Sequence, residues 1–195
     1  MDIKNNILSV FPKHIFCMDD VCINELDNFA SEIYKIVNDS GTATNDLQHV
    51  KSTHRTNIDL HTYEEFEPLV IEVEKYSKEF ARWLGYDDEY AFNLSIKNMW
   101  ANVSDKGGYN FPHTHPGSIV SGAFYVKSNP ENTIIFFDNY LNMEFPINCS
   151  GEGYDRVTFN CQAGRLLLFR GDFPHGNPPQ LEDGEKIVIS FNVVR

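Results

Sequence analysis

The sequence predicts a mainly β fold, a jelly roll of two sheets with two or more α-helices flanking one face. Three observations lead there. From about residue 94 onward, short apolar segments recur with turn residues between them. No helix-length crossover separates these segments, so neighbouring strands must run largely antiparallel. Ahead of them, two stretches carry apolar residues at helical spacing, which suits covers packed on a sheet.

In chain order, "ILSVFPKHIFC" has short apolar runs broken by Pro12, the pattern of a strand at an edge or a bend. Ile23, Leu26, Phe29, Ala30, Ile33, Ile36 and Val37 then predict a helix, which Asn38 and Gly41 can end. "GTATNDLQHVKSTHRTNIDL" is polar and reads as loop, with one strand near "TNIDL". Thr62 and Glu65 have capping-box spacing, so a second helix is expected to start at Thr62. Phe66, Leu69, Val70, Val73, Tyr76, Phe80 and Leu84 give it one apolar face, and Gly85 ends it. Trp83 and Trp100 are expected in the core, and the acidic "DDE" at 87–89 and "EDGE" at 182–185 read as solvated turns. Strands are expected at "LSIKNMWANV", "SGAFYVKS", "NTIIFFDN", "RVTFNC", "GRLLLFRG" and "KIVISFNVV", joined by one or two from the first half.

With 195 residues, 42% of them hydrophobic, the chain can bury one sizeable core and is short for two. One domain over 1–195 follows, with 1–93 as strand and helical support and 94–195 as the β core. Sixteen Lys and Arg against 28 Asp and Glu leave a net charge of −12. Such a balance repels polyanions, and no basic groove is readable, so neither nucleic acid nor an anionic membrane surface is an expected partner. No apolar run reaches the roughly 18 residues of a membrane span, and "MDIKNNILSV" lacks the features of a secretion signal. A cytoplasmic protein is expected. Cys17, Cys22, Cys149 and Cys161 show no CxxC and suit reduced thiols.

The chemistry is concentrated in "NFPHTHPGSIVSG", residues 110–122. Side chains two apart in an extended segment point the same way, so His113 and His115 can face one point. Alone, the pair also fits a solvated turn. A third imidazole comes from "LLLFRGDFPHGNPP", where a strand ends and delivers His175 beside Pro174 and Gly176. Lys186 then opens the last strand. The order HxH, strands, His, cation is far more specific than any one member. His14, His49, His54 and His61 lack ligand spacing and read as surface or satisfied polar groups. Asp172 reads as a turn former close enough to His175 to orient it.

"NMWANV", "HTHPGSIVSGAFYV", "IIFFDN", "GRLLLFRGDFPHGNPP" and "KIVISFNVV" together resemble the Fe(II)- and 2-oxoglutarate-dependent dioxygenases, most closely a bacterial and phage group of them. The resemblance spans about residues 96–195. It implies the double-stranded β-helix form of the jelly roll and the cofactors Fe(II), 2-oxoglutarate and O2. It also implies hydroxylation of a C–H bond of an unknown substrate, with release of succinate and CO2. His113 matches the first iron ligand and His175 the distal histidine. Lys186 matches the cation that pairs with the far carboxylate of 2-oxoglutarate, and Tyr125 matches a tyrosine that hydrogen-bonds the same group. Ser190 and Asn102 are further polar candidates for the cosubstrate.

His115 departs from the usual pattern, in which Asp or Glu completes two histidines and a carboxylate. Either three imidazoles hold the metal, or a carboxylate arrives from another strand, with Asp138 the best donor. With His115 as ligand, Asp138 is expected to hydrogen-bond an imidazole and fix its tautomer. The rival function is a cupin-like metal-binding protein or enzyme that does not use 2-oxoglutarate. Ile119 and Val120, where a cupin would place Glu, and the presence of Lys186 count against it. The segments 41–54 and 139–155 are expected to shape the pocket, but they carry no readable substrate code, and the oligomeric state is open.

Overall fold

Residues 12–39, 49–54, 56–129, 131–138 and 156–195 are described in the computed structural model, and ten strands among them form two sheets. The larger sheet has the order β1 (Ile15–Met18), β8 (Leu166–Arg170), β5 (Val120–Lys127), β10 (Lys186–Val194), β3 (Ser95–Ser104), β2 (Val50–Ser52). The smaller has β4 (Asn110–His113), β9 (His175–Asn177), β6 (Thr133–Phe137), β7 (Arg156–Asn160). Every pairing is antiparallel. This is the jelly roll expected from the strand spacing.

The larger sheet is buried on both faces, which explains why its strands read as continuous apolar runs. Period two divides their side chains. Ile187, Ile189, Phe191 and Val193 of β10 join Phe124, Val126, Leu166 and Leu168 in one core. That core also holds Phe29 and Ile33 of α1 (Leu26–Asp39) and Leu69, Val73 and Phe80 of α2 (Glu67–Trp83). The opposite face sends Ala123, Tyr125, Leu167, Phe169 and Val188 toward Ile134 and Phe136 of the smaller sheet. Lys186 and Ser190 share that second face of β10, so the last strand turns its polar residues into the space between the sheets.

Several local expectations give way. Thr62 does not cap a helix, because its hydroxyl donates to the Asp59 carbonyl at 2.8 Å. Two 3-10 turns, Leu60–Thr62 and Glu64–Phe66, intervene, and α2 begins at Glu67 with Pro68 in its first turn. Its end is as expected: Gly85, at φ +99°, donates to Arg82 O and Tyr86 to Ala81 O, a Schellman closure. "TNIDL" is not a strand, since Thr56 bonds back to the Thr53 carbonyl and accepts from the Ile58 amide, turning the chain. β2 lies earlier in the polar segment. Trp83 is 64% exposed; as the last residue of α2 it stacks on Phe80 and takes His14 against its face instead of entering the core. The "DDE" segment is not a turn: Asp87 accepts from the Tyr90 amide and caps a short helix, α3 (Asp88–Phe92). No helix among the described residues is long and apolar enough to cross a membrane.

Candidate active site

The mouth between the two sheets is a cavity of about 410 Å³. Three imidazoles that could ligate a metal come from separate backbone positions. His113 ends β4 and pairs across the ladder with His175, the first residue of β9. His175 also faces Phe136 on β6, so its strand is held on both sides. His115 follows two residues after His113, and its amide donates to the Gly171 carbonyl at 2.7 Å. Two glycines make these approaches possible. A Cβ on Gly171 would lie 2.5 Å from Ser118 O and 2.7 Å from His115 O. One on Gly176 would lie 2.8 Å from Asn110 O.

These contacts bring one ligating nitrogen from each of His113, His115 and His175 within 4.8 Å of the others. The backbone orients the rings. His175 Nδ1 lies 2.9 Å from Phe173 O, and His113 Nδ1 lies 2.7 Å from Phe111 O. A carbonyl only accepts, so both Nδ1 atoms carry the proton and both Nε2 lone pairs face the cavity. His115 Nε2 stands 3.3 Å from His175 Nε2. Imidazole nitrogens bound at about 2.1 Å and at right angles around one ion lie roughly 3 Å apart, so the set fits a divalent metal. Burial, with the neighbouring His113 imidazole adding to it, lowers the pKa of His115 to about 4. Burial likewise takes His175 to about 3, against the effect of the hydrogen bond it donates to Phe173 O. Neutral imidazole is the form that binds metal.

Lys186 and Tyr125 also line the cavity. Lys186 is 6% exposed and belongs to no ion pair among those of the described residues, and burial depresses its pKa. Tyr125 is buried with no hydrogen-bond partner for its hydroxyl; burial holds its pKa well above the ordinary tyrosine value, and nearby Cys161 adds to this. Although Cys161 is close enough to act electrostatically, the two groups do not meet in ordinary hydrogen-bond geometry. Asn102 accepts from Ser52 Oγ at 2.6 Å and reaches Ser190 Oγ at 3.4 Å, so both expected polar candidates line the same space.

Asp138 is not brought to this group. Its carboxylate pairs with Lys13 at 3.1 Å, it does not line the cavity, and backbone carbonyls orient His113 and His175. Asp172 does not orient His175 either, because Arg170 grips both its oxygens at 3.0 Å. His54, expected to be an unremarkable polar group, lines the cavity with its ring 4.5 Å from Trp100. No sequence spacing links it to the HxH pair; a long-range stack places it. Trp100 is buried as expected, yet it also forms cavity wall. Cys17, Cys22 and Cys161 are free thiols, whereas Cys149 and most of the segments 41–54 and 139–155 lie outside the described residues.

Fold and site define a jelly-roll protein with a cluster of three imidazoles that could hold a metal ion, beside a buried lysine. Residues 98–192, just under half of the chain, match the family described as "Putative 2OG-Fe(II) oxygenase". Among solved structures, HygX from Streptomyces hygroscopicus, with nickel, 2-oxoglutarate and hygromycin B bound, is similar at TM-score 0.63 and 14% identity, over 93% of this chain and 83% of that one. A Pseudomonas putida prolyl-4-hydroxylase is similar at TM-score 0.62 and 12% identity, over 94% of each chain. The viral collagen prolyl hydroxylase of Paramecium Bursaria Chlorella virus-1, a 2-oxoglutarate complex, gives TM-score 0.58 and 14% identity, over 93% and 96%. At such identities the likeness is one of fold. No curated protein matches the sequence.

Proposed function

We propose that this protein is an Fe(II)- and 2-oxoglutarate-dependent dioxygenase that hydroxylates a C–H bond of an unknown substrate and releases succinate and CO2. One observation carries the reading: three converging imidazoles share a cavity with a buried lysine that has no carboxylate partner among the described residues. An isolated buried cation is costly, so the site suits a ligand that brings negative charge with it.

His113, His115 and His175 would hold the iron. The iron, when bound, supplies the means to activate O2 against 2-oxoglutarate and the substrate. Lys186 and the Tyr125 hydroxyl would take the far carboxylate, with Asn102 and Ser190 alongside. The protein's own contribution would be to keep His113 and His175 protonated at Nδ1, so that their Nε2 lone pairs are available to the metal. Phe169 and Phe136 pack on His175 at 4.5 and 5.8 Å and shield it from water. A cytoplasmic location, where the free thiols stay reduced, and the absence of a nucleic-acid partner belong to the same reading. A cupin-like protein without 2-oxoglutarate would leave Lys186 and Tyr125 unexplained.

Succinate formed from 2-oxoglutarate by the purified protein with added Fe(II), even without the second substrate, tests this. Iron-dependent succinate supports the reading. Metal binding with no turnover and no effect of 2-oxoglutarate would refute it.

A further inference from the structure

We infer that the second substrate bears an acid group, carboxylate or phosphonate-like, and that His54, seated on Trp100, receives it. The inference rests on the oxygenase reading above and adds a substrate class to it.

The first support is charge. A centre of two histidines and a carboxylate removes one positive charge from a divalent ion; His115 removes none. A doubly charged ion, doubly anionic 2-oxoglutarate and the Lys186 ammonium leave one positive charge over. None of the described residues lining the cavity is Asp or Glu, although the chain has 28 of them. An uncompensated charge in a partly buried site is expensive, and a substrate that carries one negative charge closes the balance.

The second support is position. Thr53 clamps the segment that carries His54 onto β3: its amide donates to Ala101 O, and its hydroxyl accepts from the Ala101 amide, both at 3.0 Å. The His54 amide donates to Ser52 Oγ at 3.1 Å, and Ser52 in turn donates to Asn102. The ring is thereby fixed on Trp100, and Trp100 lies 6.0 Å from His115. An imidazole donor held on an aromatic wall beside a metal ligand suits the acid of a substrate whose body lies against Trp100.

Trp100 is itself the reporter. The chain has two tryptophans, and Trp83→Phe leaves Trp100 as the single emitter. Zn(II)-loaded protein with saturating 2-oxoglutarate does not turn over, because zinc has no redox chemistry. It is titrated with acetate, benzoate and phenylphosphonate, and with acetamide and benzamide as neutral counterparts. Retained 2-oxoglutarate is measured in the same samples.

The expected result is saturable change in Trp100 emission by at least one acid, at least tenfold tighter than its amide, with 2-oxoglutarate retained. His54→Phe, which keeps the stack and loses the donor, should abolish that preference; His54→Asn, which keeps a donor, should retain part of it. Three results would overturn the inference: amides binding as well as acids, acids binding only by displacing 2-oxoglutarate, or a preference that survives His54→Phe. No binding by any probe would overturn it too. Failure of 2-oxoglutarate itself to bind would instead strike the oxygenase reading.

Discussion

His115 and His175, sixty residues apart in the chain, bring their Nε2 atoms to 3.3 Å of each other. One is fixed by a backbone bond to Gly171 and the other by pairing on both sides of β9. The contact is therefore set by the backbone pairing of the sheet.

Replacing either imidazole should then remove the metal without unfolding the jelly roll. His175→Ala and His115→Ala are expected to lower affinity for Fe(II) or Zn(II) by at least ~100-fold, more than loss of an outer partner usually costs. Metal content after dialysis against a buffered ion measures this. An Asp138→Asn protein, whose altered side chain sits beside Lys13 and outside the cavity, should bind metal as the parent does.

Gly171 offers a test at a residue with no ligating atom. A methyl group there would meet Ser118 O at 2.5 Å and His115 O at 2.7 Å, and both are backbone atoms. Gly171→Ala should cost about 1–3 kcal/mol in stability, as overpacking usually does. It should also weaken metal binding, because the shift falls on the His115 segment. Thermal unfolding with and without Zn(II) would show both, the gap between the two narrowing in the variant.

Acid should loosen the metal-free protein through the two buried imidazoles. His115 and His175 have pKa values lowered from 6.5 to about 4 and about 3, so the unfolded chain binds protons first as pH falls below 6.5. Stability due to these groups is whole above 6.5 and is lost progressively down to about 3–4. A His175→Phe protein should show a shallower loss over that window by urea unfolding. An unchanged slope would contradict the burial of a neutral imidazole.

Lys186 should behave in the opposite way with and without cosubstrate. Burial lowers its pKa below 10.5, so the unfolded state again holds the extra proton, and stability rises with pH as the folded lysine deprotonates. Metal-free Lys186→Met should thus be more stable than the parent at neutral pH, with the difference shrinking toward pH 10. With metal present, the same variant should bind 2-oxoglutarate about 10- to 150-fold more weakly, the range of one lost charge-assisted hydrogen bond.

Long strands were legible because burial on both faces makes them continuous apolar runs, as in β5, β8 and β10. β4 and β9 were not, at four and three residues, since pairing around His113 and His175 and not a pattern defines them. The capping box at Thr62 matched a local rule that a competing backbone acceptor, Asp59 O, defeats. His113, His115, His175 and Lys186 were readable from their order along the chain, and the structure puts them around one cavity. His54 was not readable, because its placement depends on Trp100, forty-six residues later, and on a clamp between two strands. Asp138 was misplaced for a related reason: a strand end near the rim does not fix which way its carboxylate turns, and Lys13 draws it away.

Calorimetric titration of 2-oxoglutarate into the protein, with and without Mn(II), tests most directly that the imidazoles and the lysine form one site. The account predicts saturable binding that requires the metal and is strongly weakened by Lys186→Ala while the metal affinity of that variant stays nearly intact. Binding that ignores the metal, or that ignores the lysine, would contradict it.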